Sequence, residues 1–119
     1  MKKNITAVEL AKKIYERRKA FFDEAEEHLK VIANRARELL PGAKVYLFGS
    51  YYRGDYHPAL SDIDVAIVSP LIPESATERA KLKLKIIDGY NFSPLEVHLL
   101  KPSEWNFYRN FVKDEFREI

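Results

Sequence analysis

The chain has 119 residues, of which 20 are basic and 18 acidic, giving a formal charge of +2. Apolar residues make up 46% and charged residues 32%, a balance that suits one folded domain and excludes a disordered chain. There is no cysteine, which excludes disulfides, thiolate zinc sites and cysteine nucleophiles. No apolar run approaches the ~20 residues of a membrane span. Met1-Lys2-Lys3-Asn4 leads into a charged amphipathic segment, not the apolar stretch of a signal peptide, so a cytoplasmic protein is expected. The first forty residues hold ten basic and seven acidic side chains, the remainder ten and eleven. Neither part has the positive excess of a dedicated nucleic-acid binder.

In chain order, Thr6 and Glu9 form an S/T-x-x-E capping box that opens a helix, and Pro41-Gly42 closes it. Within it Val8, Ala11, Tyr15, Arg18, Phe22, Ala25, Leu29, Ile32, Ala36 and Leu39 recur at 3-4 spacing, apolar except at Arg18. Unbroken, such a helix reaches about 50 Å, longer than a small domain. It therefore breaks near Arg17-Arg18-Lys19, or part of it projects to pack on another chain. Residues 1–40 are accordingly set apart as an amphipathic segment for packing or partner binding, and 41–119 as the core.

Lys44 to Phe48 reads as a short strand ending at Gly49, and Asp62 to Val68 as a second, rich in Ile and Val. A short helical turn between them ends at Gly54. Ser75 and Glu78 form another capping box and start a helix over 75–88. Leu95 to Leu100 is a third strand. Lys101-Pro102-Ser103-Glu104 then starts a last helix that buries Trp105, Tyr108, Phe111 and Val112. The expected class is α+β (mixed α/β), a small mixed sheet flanked by helices with a long helix before it.

Chemistry concentrates between Leu47 and Val65. Asp62 and Asp64, at i and i+2 of a strand, send their carboxylates from one face. Two such charges repel, and a divalent cation such as Mg²⁺ resolves the conflict while keeping sites for water and phosphate. A bare D-x-D also occurs at solvated strand edges. Gly49-Ser50 follows a strand directly, so its backbone can approach a phosphate, and Arg53 can answer that phosphate's charge. An ordinary turn accounts for the same residues. Glu96 interrupts an otherwise apolar strand and shares a face with His98. If that strand lies beside the Asp62 strand, Glu96 joins the two aspartates; otherwise Glu96 and His98 face water at an edge.

Gly49-Ser50-x-x-Arg53-Gly54 followed by Ser61-Asp62-Ile63-Asp64-Val65 resembles the signature of the DNA polymerase beta-like nucleotidyltransferase superfamily. The similarity is strongest to its small prokaryotic branch, the minimal nucleotidyltransferases, and covers about 41–100. The resemblance implies a nucleotidyltransferase-like fold and two-metal transfer of a nucleoside monophosphate from an NTP, ATP foremost, to an acceptor hydroxyl. Asp62, Asp64 and Glu96 then hold two Mg²⁺ ions, Gly49 and Ser50 cradle the β- and γ-phosphates, and Arg53 neutralises the leaving pyrophosphate. It also implies a homo- or hetero-oligomer and a helical HEPN-type protein partner, with this chain as the antitoxin of a toxin–antitoxin pair that adenylylates its partner. The alternative is a catalytically weak protein that neutralises such a partner through its N-terminal helix. Two departures stand out. Tyr51, Tyr52, Tyr56 and His57 occupy a loop where smaller residues are usual, so their rings either stack on a base or pack on the sheet. The third carboxylate is Glu where Asp is frequent.

Overall fold

The computed structural model describes residues 4–119; Met1-Lys2-Lys3, part of the 1–40 segment and of the leader argument, lie outside it. The elements are α1 (Ala7–Asp23), α2 (Ala25–Leu39), β1 (Lys44–Phe48), α3 (Gly49–Arg53), β2 (Ile63–Val68), α4 (Ala76–Ile86), β3 (Leu95–Leu100), α5 (Pro102–Val112) and β4 (Phe116–Glu118). The sheet order is β3-β2-β1-β4, with β2 and β3 parallel and the other two pairs antiparallel. This is the mixed sheet flanked by helices that the sequence leads one to expect.

Both N-terminal capping oxygens act as expected: Thr6 Oγ1 accepts from the Glu9 amide, and Ser75 Oγ from the Glu78 amide. The long helix, however, is two helices. It breaks at Glu24 (φ −109°, ψ 16°), five residues beyond the Arg17–Lys19 region. Asp23, Glu24, Glu26 and Glu27 crowd the break. Like charges three and four apart oppose a continuous helix, whereas the first turn of a new one favours Glu26 and Glu27.

The packing divides along the same line. Ala25, Leu29, Ile32, Ala33 and Ala36 of α2 are buried against Val45, Leu47, Ile63, Val65 and Ile67 on one face of the sheet, and Phe22 joins them from the end of α1. The rest of α1 is mostly exposed: Val8, Leu10 and Ile14 meet solvent although they are apolar. The molecule measures 54 × 30 × 23 Å, and its radius of gyration of 16.1 Å exceeds the about 13.5 Å expected of a compact chain this long. Thus Phe22 and Leu29 serve this chain's own core, and the apolar surface left exposed in the N-terminal segment lies on the first part of α1.

On the other sheet face Trp105 of α5 covers Ala66, Val68 and Leu100, stacking on Tyr46 at 4.9 Å with Phe48, Tyr108 and Phe116 around it. Phe111 does not join them; it is 75% exposed and touches Phe107 on the outer side of α5. Phe116 belongs to β4, an edge strand that pairs with β1. Among the described residues no helix is long and apolar enough to cross a membrane.

Candidate nucleotidyl-transfer site

The sheet brings the motif residues to one end, where β1 finishes and β2 and β3 begin. Phe48 is the register partner of Asp64 across the antiparallel pair, and Asp64 is the register partner of Glu96 across the parallel pair. Register partners share a face, so Asp64 and Glu96 emerge side by side, on the α5 side. The parallel pairing of β2 with β3 is what unites residues 32 positions apart.

Gly49 turns the chain from β1 into α3 with φ +83°. A Cβ at this position would overlap Asp64 Oδ2 and lie 3.2 Å from its Cγ. Two independent demands therefore fix the glycine: a left-handed backbone, and space that the Asp64 carboxylate fills. Ser50 follows, half-buried, as the next residue of α3. Gly54 ends α3 in the left-handed conformation, donating to Ser50 O at 2.9 Å.

The other carboxylate oxygen of Asp64 meets His98, whose Nε2 lies 3.3 Å from Oδ1. His98 is wedged between Phe48 and Tyr108, with ring centroids at 5.5 and 5.8 Å. Asp64 is thus held from both sides, by His98 on one oxygen and by the Gly49 turn around the other.

The remaining residues stand looser. Asp62 precedes β2 and is exposed. Glu96 lies at the outer strand and leans toward Lys83 of α4, with Nζ to Oε1 at 3.6 Å. Arg53 is exposed and pairs with Asp55 at 3.2 Å. Among the described residues no three His, Asp or Glu side chains converge as a ready-made metal cluster. Asp64 and Glu96 are brought together as strand neighbours; Asp62 and Arg53 stand at the margin.

The tyrosines of the 51–57 loop pack inward. Tyr56 stacks on Phe22 at 4.6 Å, Tyr51 packs against both, and the Tyr51 hydroxyl donates to Glu26 at 3.3 Å. Burial and the neighbouring Glu26 charge raise the Tyr51 pKa above the ordinary 10.0, so the hydroxyl stays protonated and donating. On the far side of the sheet's same end, α1 and the 88–94 loop enclose a cleft of about 830 Å³ lined by Arg17, Phe21, His28, Tyr90 and Phe92 among others.

Residues 29–119 match the family model described as the nucleotidyltransferase domain. This chain belongs to the nucleotidyltransferase domain family. A crystal structure of a presumed nucleotidyltransferase is 36% identical, covering 77% of this chain and 97% of that one, with a TM-score of 0.65. A second, from Sulfolobus solfataricus, shares the fold at 23% identity and a TM-score of 0.54, covering 99% of this chain and 89% of that one. No curated protein matches. The matched region begins inside α2, so α1 lies outside the part of this nucleotidyltransferase that the family model describes.

Pol beta-like nucleotidyltransferases typically use divalent metals. The donors here fit such an ion in kind, since carboxylate oxygens are the ligands a hard cation takes. In placement, Asp64 and Glu96 are strand neighbours, while Asp62 stands ahead of β2, so two of the three donors are adjacent. Glu96 is paired instead with Lys83 of α4. That pair is solvent-exposed, and exposed pairs are worth at most about 1 kcal/mol.

Proposed function

We propose that this chain transfers a nucleoside monophosphate from an NTP, with ATP the first candidate, to an acceptor hydroxyl. In the reaction the acceptor oxygen bonds to the α-phosphorus while the bond from that phosphorus to the bridging oxygen breaks, releasing pyrophosphate. Asp62, Asp64 and Glu96 are the residues that would hold two Mg²⁺ ions, which would supply neutralisation of the triphosphate and of the oxygens of an in-line displacement. Gly49 and Ser50 receive the β- and γ-phosphates through the backbone of the turn and the Ser50 hydroxyl, since the space a side chain at 49 would take is filled by the Asp64 carboxylate. Arg53, paired among the described residues only with exposed Asp55, is free to swing onto the leaving pyrophosphate. His98 keeps Asp64 in one orientation, so that this carboxylate is in place before substrate arrives.

The observation that carries this reading is the fit of the Asp64 carboxylate over Gly49, with Glu96 beside it in register. It is tested by titrating ATP into the protein with and without Mg²⁺. Binding is expected only with the metal, and Asp64→Asn is expected to weaken it at least tenfold and to abolish label transfer from ATP. Equal binding by the variant without metal would overturn the two-metal reading.

The exposed apolar part of α1 favours a second component. Val8, Leu10 and Ile14 offer a helical surface that no other part of this chain covers among the described residues. We propose that it takes a helical protein of the HEPN type, which presents the acceptor hydroxyl, with this chain as the antitoxin. Incubating both proteins with labelled ATP shows which one acquires label; label on neither protein would leave the helix as a purely inhibitory contact.

A further inference from the structure

Arg18 is the one charged residue in the otherwise apolar 3-4 pattern of the N-terminal segment. Its side chain is half-buried and does not seek a carboxylate. Instead Nε donates to Pro58 O at 2.7 Å, and the terminal guanidinium nitrogen donates to Ser61 O. Ser61 is the residue immediately before Asp62.

We infer that Arg18 is a positioning residue for Asp62, by which α1 sets the loop that delivers that carboxylate to the metal-binding face. The inference rests on the reading of Asp62 as a metal ligand. The loop has few means of its own to hold its shape. Leu60 and Ser61 amides donate to His57 O at 3.0 and 2.8 Å, and the His57 amide donates to Ser61 Oγ at 2.8 Å. These bonds close the loop on itself, and Tyr56, stacked on Phe22, ties its start to the core but leaves the stretch from 57 to 62 without such an anchor. Among the described residues Arg18 supplies two charge-assisted bonds from outside, 40 and 43 residues away in sequence, at the end where the chain enters β2. Asp64, by contrast, lies within the strand and is fixed by His98 and by the turn at Gly49. Asp62 lacks such side-chain supports: the Ile63 amide, donating to Pro94 O at 2.8 Å, fixes the chain after it, and Arg18 holds the chain before it.

Clamping of carbonyls by arginine is not in itself special here. Arg79 donates to Pro73 O and Leu99 O and pairs with Glu104, at the opposite end of β3 from Glu96. Arg79 therefore supplies a matched control: the same chemistry, with no carboxylate of the site beside it.

The experiment measures Mn²⁺ affinity of the whole chain by calorimetry, without nucleotide, together with amide hydrogen exchange over 57–62. Arg18→Ala is expected to raise the Mn²⁺ Kd about tenfold, the lower end of what outer-shell partners of metal ligands contribute, and to speed exchange in the loop. Arg79→Ala is expected to lower the melting temperature yet leave the Kd within twofold. Arg18→Lys keeps the charge and one bond, and is expected to fall between wild type and alanine; it also carries the test should the alanine variant not fold. Binding of Mn²⁺ by wild type with an unchanged Kd in both Arg18 variants would overturn this inference alone. So would an equal loss in Arg79→Ala, which would mark the effect as general destabilisation. Failure of wild type to bind Mn²⁺ would overturn the metal reading and this inference with it.

Discussion

Position 49 makes the sharpest demand of any single residue in this fold. Alanine there must adopt a left-handed backbone, at about 1–2 kcal/mol, and must also push the Asp64 carboxylate from its place. Gly49→Ala is therefore expected to lose about 2 kcal/mol or more in urea denaturation and to lose Mg²⁺-dependent ATP binding. A variant with full ATP affinity would show that the carboxylate can be accommodated elsewhere. The pairs Gly49-Ser50 and Asp62/Asp64 stand out in the sequence because each is local, although β2 begins at Ile63 and leaves Asp62 ahead of it. Glu96 stands out as an acid in an apolar strand, yet it is exposed on an edge strand, and its neighbour was not legible, since only strand order decides that. Lys83 carried no signal at all, because a lysine on an amphipathic helix looks the same whether or not a carboxylate stands opposite. Arg18 did carry one, a charge in an apolar pattern, but its partners are backbone carbonyls some forty residues away, which leave no mark on sequence.

Among the elements, α5 shows how one carboxylate can anchor a helix. Glu104 accepts from the Lys101 amide at 2.8 Å and pairs with Arg79 at 3.0 Å. The Arg79 contact first, and the Lys101 amide second, hold its carboxyl below the usual 4.5. A depressed folded pKa contributes stability that is full above the unfolded value and is lost as pH falls through the folded one. Glu104→Gln is thus expected to melt below wild type at pH 7, with the gap closing as pH drops below 4.5. A gap that persisted at low pH would assign the effect to packing. The strands and capped helices were legible because periodicity and caps are properties of a few adjacent residues. The break at Glu24 was not, as the 3-4 pattern runs through it and only the crowded acids hint at an end. Phe116–Glu118 is too short for a period of two to register, and its pairing with β1 fixes it instead. Phe111 followed the helical spacing but falls on the outer side of α5, beyond the edge of the sheet that Trp105 covers.

The whole molecule is a domain with an arm. Apolar side chains on a helix exposed along most of its length are costly to leave in water, at roughly 25 cal/mol per Å², and they gain that back on association. Replacing Val8 and Ile14 by Asp touches nothing in the core. The double variant is expected to keep its melting temperature within about 2 °C while losing association with itself or a helical partner, as read by sedimentation velocity. A large fall in melting temperature would instead show that the arm supports the fold.

The strand order has one more consequence. Gly49 and Asp64 sit at the ends of β1 and β2, the two inner strands of the sheet. Inner strands open last, since each must part from neighbours on both sides. Warming or mild denaturant is therefore expected to loosen the arm and the edge strand β4 before the turn at Gly49 opens, whereas Asp64 also depends on β3, which carries its partner His98. On the proposed reading, the Gly49–Asp64 part of the centre outlasts Asp62, which stands ahead of β2 at the end of a surface loop.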